Sequence, residues 1–296
     1  MDTKLEELRK LVSDAASQRT ETGIPRVAMM RGPIPEHQLF AVYEPMVNLV
    51  LTGKKTMTIG DRTFRYDPAT YFVISVDLPA VGSVFPSENG EPYLAVSLTF
   101  EPTMVADLLA DLPKAFGVAR ASTGFSVAPV TTELLDAWAR MLRLRCRPDE
   151  VAALAPVYER EIMFRILQGP LGWMLRDIAA PDTALSRIGV TIQWIRLNFM
   201  KPLRIEVLAE MAALSISAFH RHFKAVTALS PLQYQKRIRL LHARSRLIAG
   251  EGNVTSVAFA VGYESSTQFG REYARFFGSP PLKDSARLIR TMYEQK

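Results

Sequence analysis

The period of the hydrophobic positions changes twice along this chain of 296 residues. A first amphipathic stretch, about 3–17, has helical spacing. Residues from about 23 to 100 then read as short strands. Alternation is plain in Thr56-Met57-Thr58-Ile59, and runs rich in β-formers occur at 39–43, 46–51, 71–76 and 93–100. Thr52-Gly53-Lys54-Lys55 and Gly60-Asp61-Arg62 read as turns between them. Many short strands broken by Gly and Pro predict a barrel or a double-sheet jelly roll. From about 102 to 180 the spacing returns to three and four residues. Leu134, Leu135, Trp138, Met141 and Leu142 form one apolar stripe, and another helix runs to Gly169-Pro170. Such a stripe is read first as intramolecular core and second as a dimerisation surface. The fold class expected is α+β: an N-terminal barrel with a helical extension, followed by an all-α domain.

The last hundred residues carry one pattern twice. Phe219-His220-Arg221-His222-Phe223 returns as Phe269-Gly270-Arg271-Glu272-Tyr273, and Pro231 and Arg237 return as Pro281 and Arg287, at an offset of 50. Each copy reads as a short helix, a tight turn and a second helix. In the first, Val207, Leu208, Met211 and Ala212 precede the capping residue Ser215; in the second, Val257, Ala258 and Val261 precede Ser265. Gln268, three residues after Ser265, predicts a capping box. Ala209 matches Ala258 at an offset of 49, so the second turn should be one residue longer. Phe219 with Phe223, and Phe269 with Tyr273, are four apart and predict the buried faces. Ser217, His220, Arg221 and Lys224 in the first copy, and Ser266, Thr267, Gly270 and Arg271 in the second, are left facing outward. Two helix-turn-helix units with basic outer faces, at about 205–227 and 254–277, are the arrangement that places helices in the DNA major groove.

Between the copies, Ser230, Pro231 and Gln233 predict a capped helix that runs to Gly250. Residues of roughly 191 to 290 resemble the DNA-binding domain of the AraC/XylS family of bacterial transcriptional regulators. The string from Gly262-Tyr263-Glu264-Ser265-Ser266-Thr267-Gln268-Phe269 through Arg271, Tyr273, Phe277 and Gly278 to Pro280-Pro281 carries the likeness. The resemblance implies base contacts by Ser217, His220 and Arg221, and by Ser266, Thr267 and Arg271. Three departures stand out: Ala228 for a usual glycine, Ala274 for a usual lysine, and Asp284 where Tyr234 has its aromatic partner. The last two imply weaker backbone contact and packing in the second copy. Upstream, Tyr43-Glu44-Pro45, Tyr66-Asp67-Pro68 and Ser75-Val76-Asp77-Leu78-Pro79 resemble the N-terminal domain of one AraC-type subfamily. That likeness implies a cupin-like barrel. The division expected is 1–185 for the sensor or dimerisation domain and 186–296 for the DNA-binding domain.

Charge points the same way. Acidic residues exceed basic ones by 3 through residue 190, and basic residues exceed acidic ones by 9 beyond it, giving the net +6. Double-stranded DNA is therefore the expected partner, with a small-molecule effector in the barrel, a second copy of the chain and RNA polymerase as the others. The competing reading makes the barrel only a dimerisation or polymerase-contact module. No apolar run approaches the ~20 residues of a membrane span. Cys146 is the only cysteine, and it suits a reducing cytoplasm. His37 is the only histidine before residue 190, so a three-histidine metal centre is excluded there; no metal, cofactor or catalytic residue is expected. Glu44, Asp61, Asp67 and Asp77 read as turn chemistry, which leaves a cupin-type enzyme the weakest alternative.

Overall fold

The computed structural model describes residues 2–16, 19–32, 39–68, 70–112 and 123–294. The chain divides into two compact units, Met1–Gly189 with Arg221–Ala228, and Val190–His220 with Leu229–Lys296. The first opens on α1 (Asp2–Leu11), followed by β1 (Arg19–Glu21), β2 (Val27–Gly32), β3 (Leu39–Tyr43), β4 (Met46–Thr52) and β5 (Lys54–Ile59). Then come β6 (Arg62–Tyr66), β7 (Thr70–Ile74), β8 (Leu78–Phe85), β9 (Tyr93–Thr99), α2 (Pro102–Ala110) and β10 (Phe125–Pro129). Three helices complete the order: α3 (Thr132–Arg143), α4 (Pro148–Gln168) and α5 (Gly172–Ala179).

The strands form two antiparallel sheets, ordered β1-β2-β9-β4-β7-β10 and β3-β8-β5-β6. They do not close into a barrel. The chain changes sheet at Gly53, because β4 pairs with β9 and β7 while β5 pairs with β6 and β8. The double-sheet alternative therefore describes this unit. Aromatic pairs join the sheets: Phe64 with Phe125 at 4.4 Å between ring centroids, and Tyr66 with Phe72 at 4.7 Å. Alternate residues of β5 are buried, so Lys55, Met57 and Ile59 share the inner face. Lys55 thus lies inside a strand rather than in the turn that its neighbours suggested. Asp77 is likewise only 1% exposed, which is not the setting of a solvated turn acid.

The apolar stripe of α3 is fully buried, with Trp138 at its centre. It is covered by α1 and α4 of the same unit, so it is core and does not offer a dimerisation surface. Lys4 and Asp136 pair at 2.7 Å across the α1–α3 seam, and Arg143 pairs there with Glu7.

The remaining helices are α6 (Ala184–Leu197), α7 (Ile205–Met211), α8 (Ile216–Thr227), α9 (Pro231–Ile248), α10 (Val254–Ala260), α11 (Ser266–Phe277) and α12 (Pro281–Glu294). Helix α9 starts as its sequence requires. Ser230 Oγ accepts from the Gln233 amide at 3.2 Å, and Gln233 Oε1 accepts from the Ser230 amide at 2.9 Å. One turn apart on α9, Gln235 and Arg239 bind the segment that follows α6. Gln235 Nε2 donates to the carbonyls of Phe199 (3.0 Å) and Lys201 (2.7 Å). Arg239 donates to those of Phe199 (2.7 Å), Met200 (3.2 Å), Lys201 (3.1 Å) and Gly262 (2.8 Å). The carbonyls of the segment just after α6 are thereby paired by side chains of α9.

Candidate nucleic-acid interface

The two copies close their turns with the same hydrogen bond. Leu214 N donates to Ala209 O at 2.9 Å, and Tyr263 N to Ala258 O at 3.0 Å, a constant offset of 49. The offset becomes 50 at the caps: Ser215 Oγ accepts from Ala218 N, and Ser265 Oγ from Gln268 N, both at 3.3 Å. The added residue of the second turn is therefore Glu264. Each turn passes through one left-handed residue, Ala213 (φ 51°) and Gly262 (φ 91°). At Gly262 a side chain would not fit, since an added Cβ would lie 2.4 Å from the Met200 carbonyl oxygen. The capping box expected at Ser265 is only half formed. Gln268 Nε2 turns along the helix to Glu272 Oε1 at 3.1 Å instead of returning to the cap.

Phe219, Phe223, Phe269 and Tyr273 are fully buried. Their burial fixes the rotation of α8 and α11 about their own axes, and so determines what each helix shows to solvent. On α8, Ser217, His220, Arg221 and Lys224 are exposed, at intervals of three and four residues along one face. On α11, Thr267 and Arg271 are exposed and Ser266 is half-buried. Gly270 meets open space beside them. Among the described residues Arg221, Lys224 and Arg271 make no ion pair or side-chain hydrogen bond.

Glu272, the acid next to Arg271 in the chain, is held elsewhere. Burial alone would raise its carboxyl, but hydrogen bonds from Lys236 (2.6 Å), Gln268 and Tyr263 (2.9 Å) outweigh that and keep it below the ordinary range. It stays ionised, committed to α9 and the turn rather than to Arg271. Arg275, one turn beyond Arg271, is also exposed and unpaired among the described residues. It supplies a cation beside Ala274. Sequence reading passed over it, although its spacing of four from Arg271 was the available signal. Among the described residues no three His, Cys, Asp or Glu side chains converge as metal ligands; His37 lies outside them. No helix among those residues is long and apolar enough to cross a membrane.

The model of the AraC-type transcriptional regulator N-terminus matches residues 23–174, and that of a helix-turn-helix domain matches residues 208–287. This chain belongs to the AraC-type transcriptional regulators. It is 33% identical over 144 residues to the HTH-type transcriptional activator RhaS of Escherichia fergusonii, covering 47% of this chain and 51% of RhaS. The match to RhaS of Escherichia coli (strain SE11) is 31% over 100 residues, or 34% and 36% of the two chains. The chain thus spans about half the length, or less, of the curated relatives it matches. Among solved structures it is similar to ToxT from Vibrio cholerae O395, with a TM-score of 0.57, 9% identity, and coverage of 88% and 96%. It is similar also to unsaturated fatty acid bound ToxT from Vibrio cholerae strain SCE256, with a TM-score of 0.56, 8% identity, and coverage of 88% and 93%. At these identities the likeness is one of fold.

Proposed function

We propose that this chain is a cytoplasmic, sequence-specific DNA-binding transcription regulator. In this reading α8 and α11 enter major grooves of one operator as a tandem pair, and the chain acts as a homodimer that communicates with RNA polymerase. The observation that carries it is the repeated exposure of uncompensated cations: Arg221 and Lys224 on one second helix, Arg271 and Arg275 on the other, above aromatic pairs that fix helix rotation. A guanidinium held this way can fork onto the O6 and N7 of a guanine, and a lysine ammonium meets phosphate as a point charge. Ser217, His220, Ser266 and Thr267 complete the two reading surfaces. The name of RhaS, a transcriptional activator, supports activation as the outcome.

The two-sheet domain is proposed to receive a small-molecule effector. A cavity of about 360 Å³ opens between its sheets, within the size range of ligand pockets. ToxT, of similar fold, has been solved with a fatty acid bound.

The direct test is selection of binding sites by the full chain from randomised duplex DNA, followed by titration at several salt concentrations. An enriched motif, with affinity falling steeply as salt rises, is expected. Binding of equal strength to every sequence would sink the reading.

A further inference from the structure

The cavity between the sheets holds a side chain that its walls do not explain. Lys55 takes the first inward position of β5, two residues before Met57, and is 4% exposed. Its ammonium lies 5.1 Å from the ring centroid of Tyr43 and 5.4 Å from that of Phe72. Among the described residues it makes no ion pair and no hydrogen bond. Glu44 also lines the cavity, but it is exposed and does not pair with Lys55. An ammonium carries three donors, and aromatic faces replace only part of its lost hydration. Burial holds the Lys55 pKa down to about 8, so most of the side chain is still charged at neutral pH. A buried charge of this kind is stable only when something pairs with it.

The opposite wall supplies a second incomplete group. Asn48 of β4 faces the same cavity at 8% exposure, and its Oδ1 is buried without a hydrogen-bond partner. Its cross-strand neighbour, Ser97 of β9, lines the cavity beside it. The rest of the lining is mostly apolar, with Met29, Met30 and Met46 the most adaptable parts. One sheet thus presents a cation, the other presents an amide and a hydroxyl, and the space between them is greasy.

We infer that this cavity takes a monocarboxylate with an apolar body, its carboxylate paired with Lys55. The inference rests on the effector reading above and gives that effector its chemical class. The carboxylate satisfies the ammonium and the hydrocarbon fills the methionine-lined space, while Asn48 Oδ1, an acceptor, is met by a donor and not by the carboxylate. Neutral molecules of the same shape leave the charge unpaired and bind more weakly.

Thermal unfolding and calorimetric titration of the full chain test this with matched probes: octanoate, decanoate and phenylbutanoate, each beside its primary alcohol. The carboxylates should raise the melting temperature and bind roughly 10- to 100-fold more tightly than their alcohols. Lys55→Met removes the charge with little change of volume, so it should melt no lower than the parent. It should lose the preference for carboxylate and keep the affinity for alcohol. Should that variant fail to fold, the parent's preference between acids and alcohols decides alone. Alcohols binding as tightly as acids, or a Lys55→Met protein that retains the preference, would overturn the carboxylate assignment and leave the effector reading standing. No response to any acid or alcohol would overturn both.

Discussion

The carboxylate of Asp284 accepts two hydrogen bonds from the Arg244 guanidinium, 2.8 Å from Nε and 3.2 Å from Nη2. In the first copy the matching place belongs to the buried ring of Tyr234. Arg287 (2.8 Å) and the Tyr273 hydroxyl (2.9 Å) donate to the same carboxylate, which is wholly buried. A residue that reads as a defect in the sequence is therefore the hub that joins α9, α11 and α12. Burial alone would raise the Asp284 carboxyl, but the hydrogen bonds from Arg244 and Arg287 outweigh it and hold the group below the ordinary range.

A pH dependence follows with a definite sign. The folded pKa of Asp284 lies below the unfolded value of about 3.9, so its contribution is fully present above that value. It is lost as pH falls through it toward the folded pKa. Asp284→Ala should destabilise the second unit by about 3–5 kcal/mol at neutral pH, because it removes the buried acceptor that Arg244, Arg287 and Tyr273 share. Urea midpoints of parent and variant should converge below about pH 4. A gap that does not narrow would place the acid sensitivity elsewhere.

Base readers and phosphate clamps should separate by mutation. Arg221→Ala and Arg271→Ala should each flatten base preference over one part of the operator, by about 1–3 kcal/mol of discrimination. Lys224→Ala and Arg275→Ala should weaken all sequences alike, each lowering the salt slope by about 1. Site selection beside melting curves distinguishes these results from simple loss of stability, since all four side chains are exposed and make no ion pair among the described residues.

Gly262→Ala should be among the most damaging single-methyl changes in the chain. The new Cβ would meet the Met200 carbonyl oxygen at 2.4 Å, in a left-handed position that also disfavours alanine. A loss of at least about 2 kcal/mol is expected in chemical denaturation. Because Arg239 binds the carbonyls of both Met200 and Gly262, that clash cannot be relieved without giving up one of its hydrogen bonds.

Much of this was legible in the sequence, for a physical reason. Both helix-turn-helix units, the longer second turn and the capped α9 depend on interactions within about five residues, and the chain states such interactions locally. The buried faces of α8 and α11 follow from helical spacing alone. What escaped depends on partners distant along the chain. Lys55 looked like a turn residue beside Gly53, and only the inward register of Met57 and Ile59 reveals its direction. Asp284 looked like a lost aromatic because Arg244 lies 40 residues earlier. Closure of the sheets was not legible either, since strand spacing is the same for a barrel and for two open sheets. The proposed contact residues lie on exposed faces, apart from the half-buried Ser266, and the mutations above are what will assign them.

Ala228→Gly should stabilise the protein by about 1 kcal/mol. Ala228 ends α8 in the left-handed region at φ 55°, where Gly278 serves the second copy at φ 74°. A raised urea midpoint with unchanged slope is the expected reading.

The pairing of Ala213 with Gly262, and of Ala228 with Gly278, gives the tandem a gradient of rigidity. The first unit bends its chain twice through alanine where the second uses glycine, and each alanine adds about 1 kcal/mol of backbone strain. Local opening should therefore start in the first unit. Hydrogen exchange should be faster at the ends of α8 than at those of α11, and DNA that immobilises both should slow exchange more at the first. The protein would then meet its operator with one firm reader and one that sets on contact.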